Sequence, residues 1–398
     1  MKILYHHRTQ AEDGQAVHIR SLIAAFEALG HEVLEAGLVK HGKEPRPVGT
    51  GGSSKWGWVT RTPRFVRELA EYGYNAVARK NLLREAVHFE PDLIYERYAF
   101  ANAAGIMAAR RLRRPLILEV NSPMVLELEK TRGLSFPRMA DRVERFVFGS
   151  ADRVCTVTGV LRDMLVEMGV ERERVFVTPN GVHLEQFDYA DPVAARAAGR
   201  EALGLAAPLE GELVLGFVGY YRDWHRLDVV LECLTEPELR AARLVLVGEG
   251  PAREGLEEKA RTLGVTDRLH FAGRRPHAEI PRLLPAFDVA LVPAINPYAS
   301  PLKLHEYMAA GVASVAPDQP NLREVLTDGV DALLVPPGDG EALVAALARL
   351  ATDVDLRRSL GARARRTITE RDLTWSGNAR RVLAQVSELR AEQGAQHA

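Results

Sequence analysis

The chain has 398 residues, of which 46% are hydrophobic and 26% charged, and its formal net charge is −1. This length predicts two domains, and the balanced charge excludes a general nucleic-acid-binding coat. Only two cysteines occur, so neither a disulfide framework nor a cysteine-based zinc site is expected, which fits a reducing cytosol. Neither a signal peptide nor an apolar run of about 20 residues is apparent, so we expect a cytoplasmic protein that is at most peripheral on the inner face of a membrane.

In the first half of the chain, short apolar runs alternate with amphipathic helical patterns. A helix is predicted over 15–29. Strands are predicted over 2–5, 31–35, 92–95, 115–120, 153–157 and 174–178. Alternation of this kind favours a parallel sheet covered by helices on both faces, which is an α/β, doubly wound, Rossmann-like domain.

The alternation stops over the Ala-, Gly- and Pro-rich residues 188–211 and then begins again. Strands of a second array are predicted over 213–217, 243–247, 269–272, 289–292, 313–316 and 332–335. We therefore predict a first domain over 1–190 and a second over 205–374, with a helix over about 375–392 that packs back on the first. Ligands of such sheets bind at the carboxyl ends of the strands, so two domains of this type are expected to face each other across a ligand-binding cleft.

The most informative stretch is NPYASPLKLHEYMAAG, over 296–311. Ser300 is predicted to cap a helix, and the free N–H groups of Leu302 and Lys303 would then form an anion site. Glu306, one turn further on, could accept two hydrogen bonds from a vicinal diol such as a ribose. The alternative is a capped helix with a solvent-facing glutamate.

The first strand of the second array ends in GFVGYYRDWHRLD. Gly219 permits close backbone approach, and the basic residues that follow would suit a diphosphate; the alternative is a solvated basic turn. These residues are Arg222, His225 and Arg226. Two later strand ends carry weaker signals of the same kind, Gly248 in one and Gly273 with Arg274 in the other.

Polar residues also follow the strands of the first half. Gly14 opens the first helix, and Asn121 would present both a donor and an acceptor after the strand over 115–120. His18 is either a ligand-binding or a structural histidine. His6, Arg8 and Glu96 either line the acceptor side or, for Glu96, belong to an internal ion pair.

Several other chemistries lack their motifs. The sequence contains no Gly-x-x-x-x-Gly-Lys-Ser/Thr loop, no His-Glu-x-x-His, no Gly-x-Ser-x-Gly and, in the first turn, no Gly-x-Gly-x-x-Gly. No Asp-x-Asp follows a strand. We therefore expect no metal site and no cofactor.

The second array resembles the retaining glycosyltransferases of family 4, which have the GT-B fold. The resemblance is carried by VTPNGVHLEQF, LGFVGYYRDWHRLDVVLECL, LVLVGEGPAREGLE, HFAGRRPHAEIPRLLPAFDVALVPA, SPLKLHEYMAAGVASVAPD and GVDALLVPPGD, together with GQAVHIRSLIAAFEALGHEV and LTWSGNARRVL. It implies a nucleotide diphosphate sugar donor in the second domain and a hydroxyl acceptor (a glycan, a lipid-linked or a small molecule) in the first, with retention at the anomeric carbon.

The same resemblance implies roles for single residues. Glu306 matches the second glutamate of the Glu-x7-Glu motif and would bind the donor ribose, while Arg222 and His225 fall where basic residues bind the diphosphate. Gly14 would face the donor phosphate. Asn121 falls where many members have a histidine near the reacting sugar.

Two positions depart from the family pattern. Tyr298 stands where the first motif glutamate would be, and the lysine that usually follows the glycines of the first turn is absent; Arg222 with His225 could supply its charge. Tyr298 leaves open a non-catalytic sugar-nucleotide-binding or scaffold protein, and the fold leaves open a sugar-nucleotide epimerase.

Residues 40–85 carry ten basic and four acidic side chains. If they were helical, Arg61, Arg64 and Arg67 would share one face. We expect this face to bind an anionic acceptor or an anionic membrane. The alternative is a solvated surface.

Overall fold

The computed structural model describes residues 1–10, 14–37, 62–205 and 212–396. The chain divides into one unit of Met1–Pro179 with Trp375–Ala398 and a second unit of Asn180–Thr374. Each unit is built around a six-stranded parallel sheet. The two predicted doubly wound sheets are therefore confirmed.

The first sheet has the strand order β2-β1-β3-β4-β5-β6. Its strands are β1 (Lys2–His7), β2 (Glu32–Gly37), β3 (Leu93–Arg97), β4 (Leu116–Val120), β5 (Arg153–Thr156) and β6 (Val175–Val177). Its helices in this stretch are α1 (Gly14–Ala28), α2 (Arg64–Phe89), α3 (Ala104–Leu112), α4 (Met124–Thr131), α5 (Pro137–Ser150) and α6 (Gly159–Glu167). Strands β3, β4 and β5 are buried along their whole length, as expected for a sheet with helices on both faces.

The second sheet has the strand order β12-β11-β10-β7-β8-β9. Its strands are β7 (Leu213–Val218), β8 (Ala242–Val247), β9 (Leu269–Gly273), β10 (Val289–Leu291), β11 (Ala313–Pro317) and β12 (Leu333–Val335). The helices of this unit are α7 (Pro192–Ala202), α8 (Leu227–Cys233), α9 (Arg253–Leu263), α10 (Ile280–Leu283), α11 (Leu302–Ala309), α12 (Pro320–Arg323), α13 (Gly340–Thr352) and α14 (Val354–Glu370).

The last helix, α15 (Trp375–Gln396), belongs to the first unit. It packs against α1, where the Trp375 ring lies edge-on to His18 with 4.8 Å between ring centroids. Arg153 at the start of β5 donates to Gln385, and Asn378 donates to the carbonyl of Pro179. The chain therefore returns to the first unit after completing the second sheet.

The unit boundary lies earlier than the composition predicted. Residues 180–190 belong to the second unit, because Val182 and Phe187 are buried in its core. Asp191 caps α7, whose small residues look like a linker in the sequence but permit close packing. A Cβ on Gly199, for example, would lie 2.9 Å from the carbonyl oxygen of Arg282.

Within the described residues, no helix is both long enough and apolar enough to cross a bilayer.

Gly361 in the middle of α14 yields a stability prediction. A Cβ there would overlap the carbonyl oxygen of Gly311, in the turn between α11 and β11. We expect Gly361→Ala to destabilise the second unit by about 1–3 kcal/mol through overpacking, measured by chemical denaturation. The control is Gly255→Ala in α9, where the new methyl meets nothing within 4 Å and should be neutral or stabilising. Equal stability of the two variants would contradict the proposed close approach.

Candidate functional site at the strand ends

The helix α11 begins at Leu302, with Pro301 at the N-cap position and no side-chain cap. The predicted Ser300 cap is therefore wrong. Pro301 has an extended backbone, with φ −77° and ψ 124°, so it cannot serve as the first helical residue. The hydroxyl of Ser300 instead accepts the N–H of Asn180 at 3.0 Å. The first-turn N–H groups are thus left without a side-chain cap.

Lys303, in the first turn of α11, folds back over β7. Its Nζ lies 3.7 Å from the centroid of the Phe217 ring. Gly219, at φ +144°, permits this approach, because a Cβ there would lie 2.9 Å from Nζ. Burial lowers the pKa of Lys303 to about 7, and the nearby Glu306 carboxylate only partly opposes that effect. The side-chain amino group of Lys303 is therefore only partly protonated at neutral pH.

His225 lies in the turn after β7, next to the same ring. Its Nδ1 accepts the backbone N–H of Arg222 at 3.3 Å, and its ring lies edge-on to Phe217. Burial, followed by the charges of Lys303 and Arg222, lowers the pKa of His225 to about 3. The imidazole is therefore neutral and carries its hydrogen on Nε2. His225 could supply charge only when protonated, so its low pKa leaves Arg222 as the cation of this predicted pair.

The two arginines of this turn differ. Arg222 is exposed, with its guanidinium 5.0 Å from the centroid of the Tyr220 ring, and it has no carboxylate partner among the described residues. Arg226 pairs with Asp228 at 3.1 Å. Of the predicted basic cluster, Arg222 alone therefore remains as a cation without a matched carboxylate among the described residues.

Glu306 is buried, so the alternative of a solvent-facing side chain is excluded. Its Oε1 lies 2.5 Å from Nε2 of His277, and Oε2 has no hydrogen-bond partner among the described residues. His277 was missed by the sequence analysis, because its contact with Glu306 joins residues 29 positions apart. Tyr298, which stands where the first glutamate of the Glu-x7-Glu motif would be, is buried.

The glycines of this region have different roles. A Cβ on Gly248 would overlap the carbonyl oxygen of Gly219, so Gly248 allows the turns after β7 and β8 to touch. Gly273 has φ +73°, and a Cβ there would meet no atom within 4 Å, so the backbone at this position leaves space beside β9. Arg274, next to it, pairs with Glu249 at 3.2 Å on the surface.

In the first unit, the strand ends surround one buried carboxylate, that of Glu119 in β4. It accepts hydrogen bonds from Tyr95 at 2.8 Å and His18 at 3.1 Å, and further bonds from Arg97 and Asn121. Burial alone would raise the pKa of Glu119, but His18, Arg97 and these hydrogen bonds hold it well below its usual range. Glu119 is therefore ionised, and Asn121 is anchored to it.

Glu96 forms an internal pair with His6. Of the two alternatives predicted for Glu96, this pairing favours the internal ion pair over a position on the acceptor side. Its carboxylate lies 2.6 Å from Nδ1 of His6 and accepts from Asn102 at 2.8 Å and from the N–H of Gly105 at 3.2 Å. Glu96 and His6 are both buried. The prediction that these two residues recognise an acceptor is therefore not supported by their surroundings.

Arg8 follows β1 and is half-buried. Its guanidinium lies 4.7 Å from the centroid of the Tyr74 ring and donates to the carbonyl of Phe100 at 3.2 Å. Gly14 begins α1, as predicted, and is exposed. These two residues are thus available at the strand-end edge of the first unit.

Two of the three arginines of the predicted basic face, Arg64 and Arg67, lie within the described part of the chain, on α2. Arg64 donates to the hydroxyl of Ser135 at 3.2 Å and to the carbonyl of Arg132 at 2.9 Å, so it serves the loop after α4. Arg67 is half-buried. Arg61, like the rest of the basic segment over 40–61, lies outside the described residues.

No group of three or more His, Cys, Asp or Glu side chains within the described ranges could hold a metal ion.

Family models match both halves of the chain. The model for glycosyl transferases group 1 matches residues 212–353, and that for glycosyltransferase family 4 matches residues 13–186. The D-inositol 3-phosphate glycosyltransferase of Kribbella flavida is 30% identical over 300 residues, which are 72% of this chain and 68% of that relative.

Two solved structures are similar over 98% of this chain and the whole of their own. They are Anabaena HepE in complex with UDP-glucose, with TM-score 0.73 and 18% identity, and the sucrose-phosphate synthase of Thermosynechococcus elongatus, with TM-score 0.74 and 19% identity. These likenesses show the GT-B fold. The chain belongs to the group 1, family 4 glycosyltransferases. It is a glycosyltransferase.

Proposed function

We propose that this enzyme transfers a sugar, with retention at the anomeric carbon and without a divalent metal, from a UDP-sugar to a hydroxyl group of an anionic acceptor. The observation that carries the proposal is the cluster at the end of β7, formed by Lys303, Arg222 and the uncapped first turn of α11. Nearby carboxylates neutralise its positive charge only in part. UDP is chosen as the carrier because the similar HepE structure holds UDP-glucose.

The cluster suits a leaving diphosphate. As the bond between the sugar and the diphosphate breaks, negative charge grows on the phosphate oxygens, and donors already in place stabilise that charge. Helix N–H groups and Lys303 would meet the charge directly. His225 would add a neutral Nε2–H hydrogen bond. These side chains take the place that a metal ion fills in other transferases.

Retention is proposed on two grounds. These are the family resemblance and the burial and hydrogen bonding of the Glu119 and Glu96 carboxylates. Double displacement needs a carboxylate nucleophile, but Glu119 and Glu96 are both buried. Glu119 accepts hydrogen bonds at both oxygens, and Oε1 of Glu96 is held by His6, Asn102 and the N–H of Gly105. In the proposed step the acceptor oxygen bonds to the anomeric carbon on the face that the diphosphate leaves. The acceptor proton passes to a phosphate oxygen of the leaving group.

Glu306 is proposed to bind the donor ribose. His277 holds Oε1, which orients the carboxylate and leaves Oε2 for a ribose hydroxyl. An ionised carboxylate accepts such hydrogen bonds strongly in a desolvated site. This arrangement differs from the sequence prediction only in that one of the two oxygens is already occupied.

An anionic acceptor is supported by two observations. The relative from Kribbella flavida is named for D-inositol 3-phosphate, which is a phosphate ester with free hydroxyls. In the first unit, Arg8 is a half-buried cation that makes one backbone hydrogen bond and stacks on Tyr74. Such a guanidinium has donors left for a phosphate group.

The proposed function is tested by incubating the protein with UDP-glucose and D-inositol 3-phosphate. We expect an α-linked product by proton NMR, because the donor is α-linked, and unchanged turnover in excess chelator. Glu306→Ala should weaken UDP binding about tenfold or more in calorimetry. A β-linked product, or activity lost in chelator and restored by magnesium, would contradict the mechanism. Tight UDP binding without transfer or donor hydrolysis would favour a non-catalytic binding protein.

The low pKa of Lys303 predicts a pH-dependent donor affinity. A bound diphosphate favours the ammonium form and raises the pKa of Lys303 from about 7. UDP-glucose should therefore bind most tightly below pH 7 and lose affinity as the pH rises, by up to about tenfold per unit between the free and bound pKa values. Calorimetry at pH 8 in buffers of different ionisation enthalpy should detect proton uptake. Lys303→Arg keeps its charge and should remove the effect; an unchanged pH slope in that variant would refute the assignment.

We also propose that the first unit contacts an anionic membrane, although not through the arginine face predicted from the sequence. The docking face is formed by the outer surfaces of α2, α3 and α5, which lie side by side. On α2, every exposed residue over 65–77 is apolar, including Phe65, Leu69 and Val77. Such a stripe suits insertion at a bilayer surface.

Positive charge borders this docking face. The end of α2 exposes basic residues. Residues 110–114, at and just after the end of α3, contain four arginines and no acidic residue. The exposed basic residues are Arg79, Lys80, Arg84, Arg110, Arg111, Arg113 and Arg114. Anionic lipid attracts each basic residue near its surface by about 1 kcal/mol. The pairing of an apolar stripe with unmatched positive charge supports an anionic bilayer as the proposed occupant.

Vesicle flotation tests this docking face. The protein should bind vesicles that contain phosphatidylglycerol but not vesicles of phosphatidylcholine alone, and Phe65→Ser with Leu69→Ser should weaken binding about tenfold or more. The matched control is Val193→Ser on α7, which is 79% exposed in the other unit and should change nothing. Concentration-dependent dimerisation that these serines abolish, without vesicle binding, would assign the face to a second copy instead.

A further inference from the structure

The first unit contains a cavity of about 320 Å³ at the edge of its sheet where the strands begin. Leu116, the first residue of β4, and Asp152, just before β5, line it together with residues at the ends of α3 and α5. The carboxyl ends of the same strands are on the order of 15 Å away, because β4 has five residues and a strand rises about 3.3 Å per residue. The cavity is therefore separate from the polar residues at the strand ends, and its volume is within the range of small-ligand sites.

Three arginines line this cavity, which we call the arginine cavity: Arg110, Arg113 and Arg114. Arg110 donates to the hydroxyl of Ser150, another lining residue, at 3.0 Å. Arg113 and Arg114 are exposed, and neither guanidinium has an ion-pair or hydrogen-bond partner within the described part of the chain. Their N–H donors are therefore available to a ligand.

The charge of the arginine cavity indicates the class of ligand. Asp152 is the acidic side chain among the described lining residues, and its Oδ2 accepts the N–H of Leu116 at 2.7 Å. Three arginines and one aspartate give this lining a net charge of +2. A phosphate monoester carries about −1.5 to −2 at neutral pH, whereas a phosphodiester carries a single negative charge. The charge therefore favours a monoester.

The carbonyl groups at the nearby helix ends are partly neutralised. Helices α3 and α5 both end at the cavity, and helix C-termini ordinarily disfavour anions. The carbonyl of Ala109, however, accepts the backbone N–H groups of both Arg113 and Arg114. At the end of α5, Arg174 donates to the carbonyl of Gly149 at 3.1 Å. These contacts reduce the negative potential that the two helix ends present to an anion.

We propose that the arginine cavity binds a phosphate monoester. Arg113 and Arg114 hold the phosphate oxygens by charge-assisted hydrogen bonds, which suit the planar guanidinium group. The hydroxyl of Ser150 accepts from Arg110 and so keeps its own hydrogen for a phosphate oxygen. Apolar lining residues, including Ile106 and Leu116, suit the carbon skeleton of a small ester. This site does not depend on the proposed transfer reaction.

The phosphate group could come from two sources. The arginine cavity adjoins the docking face proposed above, which includes the outer surfaces of α3 and α5. Phe146 on α5 is 45% exposed, and its ring centroid lies 5.4 Å from the guanidinium of Arg110, so an apolar surface lies beside the cavity. A lipid with a monoester headgroup, phosphatidic acid, has the required chemistry. A soluble ester such as glycerol 3-phosphate offers the same group.

The backbone at Arg113 provides a variant that removes the charge without loss of fold. Arg113 is the C-cap residue of α3, with φ 53°, a conformation that favours glycine. Arg113→Gly should therefore melt at or above the temperature of wild type. Arg114→Gln removes the second guanidinium. The matched control is Arg111→Gln, because Arg111 is exposed on the same helix but does not line the cavity.

Calorimetry with glycerol 3-phosphate tests the arginine cavity directly. We expect saturable binding by wild type. Arg113→Gly and Arg114→Gln should each weaken it about tenfold or more, because each variant loses a charge-assisted hydrogen bond. Arg111→Gln should stay within about twofold. An equal loss in Arg111→Gln would show that these arginines act only as a solvated basic surface, and would overturn the proposal.

Vesicle flotation distinguishes the two sources. Phosphatidylcholine vesicles with phosphatidic acid are compared with vesicles that hold enough phosphatidylglycerol for the same surface charge. A preference for phosphatidic acid that Arg113→Gly abolishes assigns the arginine cavity to a lipid headgroup. Equal binding to both vesicles, together with binding of glycerol 3-phosphate, assigns it to a soluble ester.

The proposal fails if neither glycerol 3-phosphate nor phosphatidic acid distinguishes Arg113→Gly from Arg111→Gln. Failure of the docking face is recognised separately. Phe65→Ser with Leu69→Ser alters α2 and leaves the lining of the arginine cavity intact. That variant should therefore lose vesicle binding while its affinity for glycerol 3-phosphate stays unchanged.

Discussion

A charge removed from water must find a partner, and the two units meet this constraint in opposite ways. In the first unit the buried carboxylate of Glu119 is surrounded by Arg97, His18 and neutral donors, so it remains ionised. In the second unit the ammonium group of Lys303 faces an aromatic ring and is only partly compensated by Glu306, so its pKa falls to about 7. The first arrangement pairs its charge within the protein, whereas the second leaves its cation only partly paired. This difference separates a supporting network from the binding site proposed above.

Close backbone approach makes the second arrangement possible. Lys303 can lie over Phe217 only because Gly219 lacks a side chain at the end of β7. Gly248 in turn lets the next turn touch the carbonyl of Gly219. The two glycines therefore shape the space around the cation, and they do so by packing protein against protein. Their role in ligand binding, as proposed here, is indirect.

Arginine has three distinct uses in the first unit. Arg97 compensates a buried carboxylate, and Arg64 satisfies carbonyl and hydroxyl groups of a loop. The arginines at the end of α3 remain on the surface, apart from the contact between Arg110 and Ser150. This last group contributes to an electrostatic surface, together with the basic residues at the end of α2, although all these arginines look alike in a count of charges. The exposed apolar residues of α2 were not anticipated, because a helical stripe of apolar side chains ordinarily predicts the buried face.

Much of the fold could be predicted from the sequence alone, because the alternation of apolar runs with helical patterns is a local property. It predicted twelve strands, two doubly wound sheets and the return of the last helix, and the motif around Glu306 predicted a helix where α11 lies. The boundary at residue 180 was missed, since the small residues of α7 serve packing rather than flexibility. Only the tertiary structure decided that His277 holds Glu306, that His225 is neutral, that Glu96 is internal and that Glu119 anchors Asn121. Each of these depends on burial and on side-chain contacts made in the folded unit, most of them between residues far apart in the chain, and neither spacing nor composition encodes such contacts.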